Sequence, residues 1–173
     1  MRVVVVGLGN PILGDDGVGW RVAEAVRAAL PAAGTAAAAG TAVATVDGLE
    51  VEVDCLATGG LGLMERLIGY EWAIIVDAMQ TEGGQAGRVT CFQMPALPHF
   101  ATGHTSAAHD ASLPAALQVG RAMGAELPAR IDIVAIEAER VYDFSEELTP
   151  AVAAAIPQAT AAVLNILGEW AGC

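Results

Sequence analysis

Basic residues are scarce in this chain. Eight lysines and arginines stand against twenty aspartates and glutamates, giving a formal charge of −12. Proteins that grip a phosphate backbone carry a basic stripe, so the composition argues against a nucleic-acid partner. Cysteine is scarce as well. Cys55, Cys91 and Cys173 share no CxxC spacing, and an odd, scattered set excludes a disulfide framework or a structural zinc site. A reducing cytoplasm is the expected compartment. No run of bulky apolar residues reaches bilayer-spanning length, although hydrophobic residues make up 54% of the chain. Much of that fraction is alanine, so membrane insertion is not expected. The opening Met1–Val6 run breaks too early at Gly7 for a signal peptide and reads as a buried strand.

What is present suits one domain over residues 1–173, long enough to bury a core. Strand and helix patterns alternate. Residues 2–6 form a continuous β-branched run, the mark of a strand covered on both faces. Asp15 or Asp16 can start a helix reaching Leu30, striped by Val18, Val22, Val26 and Leu30. Further strands are expected at 51–56, 72–76, 88–93 and 131–136, with a short extra one near 42–46. Helices are expected at 61–69, at 113–123 behind Ser112 and Pro114, and from Thr149-Pro150 to about 168, kinked at Pro157. The Ala- and Gly-rich stretch 31–49 reads as a connection. Strands separated by helices imply a three-layer α/β/α sandwich around a twisted, mostly parallel sheet.

Such sheets bind ligands beyond the carboxyl ends of their strands. That rule selects Gly7–Asp16, Gly59–Gly62, Asp77 and Glu137. The segment Gly7-Leu8-Gly9-Asn10-Pro11-Ile12 suggests a dinucleotide loop, but Ile12 stands where the third glycine belongs. Asp15 and Asp16 would also repel a pyrophosphate at the helix start. Two adjacent carboxylates exceed what capping needs, so one can cap while the other faces the cleft. Asp77 closes the apolar run Trp72–Val76 and is costly there without a partner. His99, His104 and His109 share one loop region. His109, nearest the following helix, is best placed to swing over the strand ends. Asp16, Asp77 and His109 offer two oxygens and an imidazole, a set suited to nickel or zinc with coordination positions left open.

The segments Val6-Gly7-Leu8-Gly9-Asn10, Asp15-Asp16, Gly19, Thr58-Gly59-Gly60, Ile75-Val76-Asp77-Ala78, His109–Leu113, Ile136–Glu139 and Phe144–Pro150 together resemble the hydrogenase maturation proteases. The resemblance runs in order along nearly the whole chain. It implies a five-stranded sheet between helices. It also implies an endopeptidase that trims the C-terminal extension of a nickel-iron hydrogenase large-subunit precursor after nickel has been installed. Asp16, Asp77 and His109 match the family's metal-contacting positions, the first of which is glutamate in some relatives. Nickel would come with the substrate, and no permanently bound cofactor is expected. Gly59 and Gly60 would let a substrate backbone approach closely. Two departures are the Ala/Gly-rich stretch around 32–42 and Thr58, where some relatives carry aspartate. The opening also resembles peptidyl-tRNA hydrolases, but their histidine-asparagine pair has no counterpart here, and the charge disfavours tRNA. A binding module for nucleotides and a nickel sensor without protease activity are the other readings.

Overall fold

The computed structural model describes residues 1–31, 42–94 and 112–172. In chain order the elements are β1 (Arg2–Leu8), a 3-10 turn (Gly14–Gly17), α1 (Val18–Ala29), β2 (Ala42–Val46) and β3 (Leu49–Leu56). Then come α2 (Gly60–Arg66), β4 (Trp72–Met79), β5 (Val89–Gln93), α3 (Leu113–Ala122), β6 (Arg130–Glu137) and α4 (Pro150–Ala171). One sheet contains all six strands in the order β2-β3-β1-β4-β6-β5.

The expected α/β/α sandwich is present, but the sheet has six strands rather than five. Its four inner strands are parallel and both edge strands run antiparallel. Local chemistry explains both edges. Asp47 and Gly48 take positive φ values of 44° and 89°, the two-residue turn that folds β2 back onto β3 as a hairpin. The link from β4 to β5 is a short turn containing Gly83 at φ 73°, with no crossover helix, so β5 must return antiparallel to its neighbour β6.

The buried run Val3–Val6 feeds both layers. Val3 and Val5 face α1 and α4, and Val4 and Val6 face α2 and α3. The α1 stripe is Val18, Val22 and Val26. The α4 stripe is Val152, Ala155, Ala159, Val163, Leu167 and Trp170, and Trp170 meets Trp72 edge-on at 4.9 Å. α4 has 22 residues and continues through Pro157 as one element, where the sequence predicts a kink. Among the described residues it is a helix long and apolar enough to cross a membrane, but its bulky stripe packs on the sheet as a core helix does.

The start of α1 lies directly against the strand ends because Gly7 and Gly19 lack side chains. A Cβ on Gly19 would collide with the Leu8 carbonyl and stand 2.5 Å from the Val76 carbonyl oxygen, and both are rigid backbone. Gly19→Ala should therefore cost about 3 kcal/mol, a fall in Tm of about 10 °C by calorimetry. Gly59→Ala is the control, since a Cβ there meets nothing within 4 Å. A Tm for Gly19→Ala within a degree of wild type would refute the tight-approach account.

Candidate active site

Two backbone ladders part company at the carboxyl end of the sheet. β1 pairs with β4 only as far as Gly7 opposite Val76. Beyond that point β1 stays with β3, through Leu8 opposite Leu56 and a 3.0 Å bond from the Gly9 N–H to the Leu56 carbonyl. β4 instead stays with β6 as far as Met79 opposite Glu137. The chain also leaves the two strands in different directions. β1 leads to α1 on one face, whereas the segment after β4 leads eventually to α3 on the other. The split between β1 and β4 is thus the topological switch point, where open α/β sheets bind ligands.

Both selected aspartates flank this split. The sequence expectation ended the strand at Val76, but β4 runs to Met79, so Asp77 lies within it. Asp77 is nevertheless the first residue past the pairing with β1, on the face of β4 that it shares with Ile75 and Met79. Asp16 sits in the 3-10 turn that follows β1. Its Oδ2 accepts a 2.6 Å hydrogen bond from the Asn10 N–H, which fixes the carboxylate. Asn10, selected in the sequence only as part of the loop 7–16, is the residue that holds Asp16. Its Oδ1 also accepts from the Ile12 N–H at 3.2 Å, the local bond expected of an Asn-Pro turn.

The electrostatics couple the two acids. Burial pushes the Asp77 carboxyl up to about 7, and the nearby Asp16 charge adds to the rise against a weaker backbone bond from Ala78. Burial also raises Asp16, opposed by the Asn10 N–H. Near neutral pH Asp77 therefore holds its proton part of the time, and an arriving cation would favour its release. The described thiols are poorly suited to nucleophilic attack. Burial raises the pKa of both Cys55 and Cys91, which keeps them as thiols rather than thiolates.

The remaining candidates divide. Asp15 does not cap its own helix, since neither the 3-10 turn nor α1 has a side-chain cap. It is fully buried and accepts from the backbone N–H groups of Glu139, Arg140 and Thr149 at 3.2, 3.1 and 2.7 Å, and from the Thr149 hydroxyl at 3.0 Å. It fastens the closing segment and the start of α4 to the loop that carries Asp16. Glu137 is likewise spoken for. Its carboxylate accepts from the Thr81 N–H at 2.5 Å and the Thr81 hydroxyl at 2.9 Å, and so holds the β4–β5 turn. Gly60 is buried at φ 54°, a backbone reason for glycine, whereas Gly59 has open space around it. His99, His104 and His109 lie outside the described residues. Among the described residues no group of three or more potential ligands is gathered, so the described part of the site is a two-carboxylate one.

The family model for hydrogenase maturation proteases matches residues 50–166, more than half of the chain. The chain belongs to the hydrogenase maturation proteases. It is 29% identical over 171 residues to the hydrogenase 2 maturation protease of Escherichia coli K12, a match covering 98% of this chain and 92% of that one. It is 28% identical to the hydrogenase expression/formation protein HupD of Rhodobacter capsulatus, over 98% of this chain and 72% of the other. The solved structure of the E. coli hydrogenase maturating endopeptidase HybD superposes with a TM-score of 0.71 at 26% identity, covering 98% and 93% of the two chains. A hydrogenase maturation protease is a peptidase, and this chain is one by that membership.

Proposed function

We propose that this protease removes a C-terminal extension from the large-subunit precursor of a nickel-iron hydrogenase, and that it does so in the cytoplasm after nickel has been loaded. Asp16, Asp77 and His109 would contact the nickel carried by the substrate. The observation that supports this reading is the coupled carboxylate pair at the sheet's switch point, where like charges 61 positions apart in sequence are held together at a cost in stability. Two such oxygens attract a divalent ion, and an imidazole would complete a borderline set that leaves positions open for a metal held elsewhere.

In this reading substrate-bound nickel polarises the scissile carbonyl or activates water, and one carboxylate of the pair accepts the water's proton. The two roles compete, because a carboxylate bound to the metal is the poorer base, so the acceptor is whichever of Asp16 and Asp77 is not on the nickel. Gly59, whose Cβ position is open, would lie along the substrate backbone with Gly60 at the start of α2. A nucleotide-binding role is disfavoured by the same pair, because two acids at the strand ends repel phosphate.

The test mixes the protein with a precursor of proven nickel content and weighs the products. A shortened large subunit and a released C-terminal peptide are expected, with His109→Ala slower by at least about 100-fold. An intact precursor would overturn the protease assignment for this substrate. Full activity of His109→Ala would remove the histidine from the site.

A further inference from the structure

On the α2/α3 face the split between β1 and β4 has two unlike lips. The β1–β4 register sets Val6 opposite Ile75 and Gly7 opposite Val76, and Val6 and Ile75 both belong to the core on the α2/α3 side. One step further, where the pairing stops, come Leu8 on β1 and Asp77 on β4. Side chains alternate along a strand, so Leu8 shares a face with Val6, and Asp77 shares it with Ile75. Leu8 and Asp77 therefore stand level with each other on opposite lips of the split. Leu56, paired with Leu8 on β3, continues the apolar lip. Leu8 and Leu56 pack on the α2/α3 core but are only half-buried, so each leaves apolar surface at the rim. The backbone of this lip has little left to offer. The Leu56 carbonyl accepts both the Gly9 N–H at 3.0 Å and the Trp20 indole N–H at 3.1 Å, which occupies both of its lone pairs.

We infer that Leu8 and Leu56 form a specificity subsite for an apolar side chain of the substrate polypeptide, carried by a residue next to the bond that is cut. The inference rests on the reading of the β1–β4 split as the cleavage site, and it names the side-chain chemistry that site selects. The chain is a peptidase by family membership, so on that reading the occupant of the split is polypeptide. Asp77 is level with Leu8, and neighbouring strands lie about 5 Å apart where their pairing ends, so the apolar lip is about one residue's length from the reacting carboxylate. Burial of hydrocarbon is the favourable contact that Leu8 and Leu56 offer there. A charged or amide side chain would lose its water against them without gaining a partner. The backbone track fits the same placement. The Gly59–Gly60 segment follows Leu56 closely, and α2, which starts at Gly60, covers this same face through Leu63 and Met64. A substrate backbone along Gly59 and a side chain against Leu56 thus belong to one bound segment.

The experiment uses the full chain and the nickel-loaded large-subunit precursor. Product masses from wild type locate the bond, and the residues on its two sides are then varied one at a time in the precursor. At one of these positions wild type should prefer a branched apolar side chain, with kcat/KM falling about tenfold for alanine and about 100-fold for aspartate. Leu8→Ala and Leu56→Ala should shift the preference at that position towards larger side chains, phenylalanine over valine, by about tenfold. Preference at the other position should not move. Leu56→Val, which removes one methylene, should shift it about threefold in the same direction and serves where an alanine variant fails to fold. Leu8→Met conserves volume and should keep the wild-type preference. A uniform loss of rate in the leucine variants, with substrate preference unchanged, would show that the two side chains serve only the core, and would overturn the subsite while the cleavage site stands. Indifference of wild type to both flanking residues would overturn it as well. A precursor left intact by wild type would overturn the subsite and the cleavage reading together.

Discussion

Asp77→Asn is expected to abolish cleavage and, above neutral pH, to make the protein more stable. The two effects have one cause. In the folded chain the Asp77 carboxyl has a pKa of about 7, raised by burial and by Asp16, against 3.8 without these influences. The folded state therefore holds this proton through a range where the unfolded state has released it. Stability from that proton is fully present below about pH 3.8, drains away as pH rises towards 7, and is gone above. Asparagine never ionises and escapes the loss. The gap corresponds to a ceiling of about 4 kcal/mol. Contact with water at the mouth of the split screens part of it, which leaves roughly 1 to 3 kcal/mol, or about 3 to 10 °C in Tm at pH 8.5. Cleavage should fall by about 1,000-fold, within the range a positioned proton acceptor contributes. Calorimetry at pH 4 and pH 8.5 is decisive, because the stability gain should be small at the lower pH and open fully at the higher. Equal Tm values at pH 8.5 would mean that Asp77 ionises freely, and the coupled pair would no longer explain the site.

That cost is also why the pair is legible in the amino-acid sequence. An acid closing the apolar run Trp72–Val76 stands out, since sequences seldom place a carboxylate at the end of a buried strand without use. The valine run of β1, the α1 stripe and the Thr149-Pro150 start of α4 are equally legible, because each depends on neighbours within a few positions. Asp47-Gly48 carries the signal for the sixth strand in plain form. Long-range partners are not legible. Whether Glu137 at a strand end is a free ligand or a bracket for Thr81 depends on a contact 56 positions away, and no local pattern encodes that. The same holds for Asp15, whose sequence position promises a helix cap while its partners lie 124 to 134 positions further on. The extent of β4 past Asp77 is hidden because β6 pairs with it through Ala78 and Met79, residues without a strong strand signature.

Asp15→Ala should be the most destabilising substitution of a charged residue in this site, although the residue takes no part in the chemistry. Its buried carboxylate is the common acceptor for three backbone N–H groups and one hydroxyl. Alanine leaves four donors without their common acceptor, at a cost of about 3 kcal/mol, or roughly 10 °C in Tm. Asparagine divides the contribution in an informative way. Its carbonyl oxygen can keep the Thr149 N–H, but its amide then points N–H groups at the Glu139 and Arg140 N–H groups, donor against donor. Asp15→Asn should therefore recover only part of the loss. The closing segment should loosen first, since Asp15 ties its two ends to the β1–α1 loop. Hydrogen exchange at Glu139, Arg140 and Thr149 should accelerate in both variants well beyond exchange in the β1 strand. Uniform acceleration across the chain would show that Asp15 stabilises the fold globally rather than through this segment. Unchanged exchange at those three amides would show that the carboxylate does not hold them.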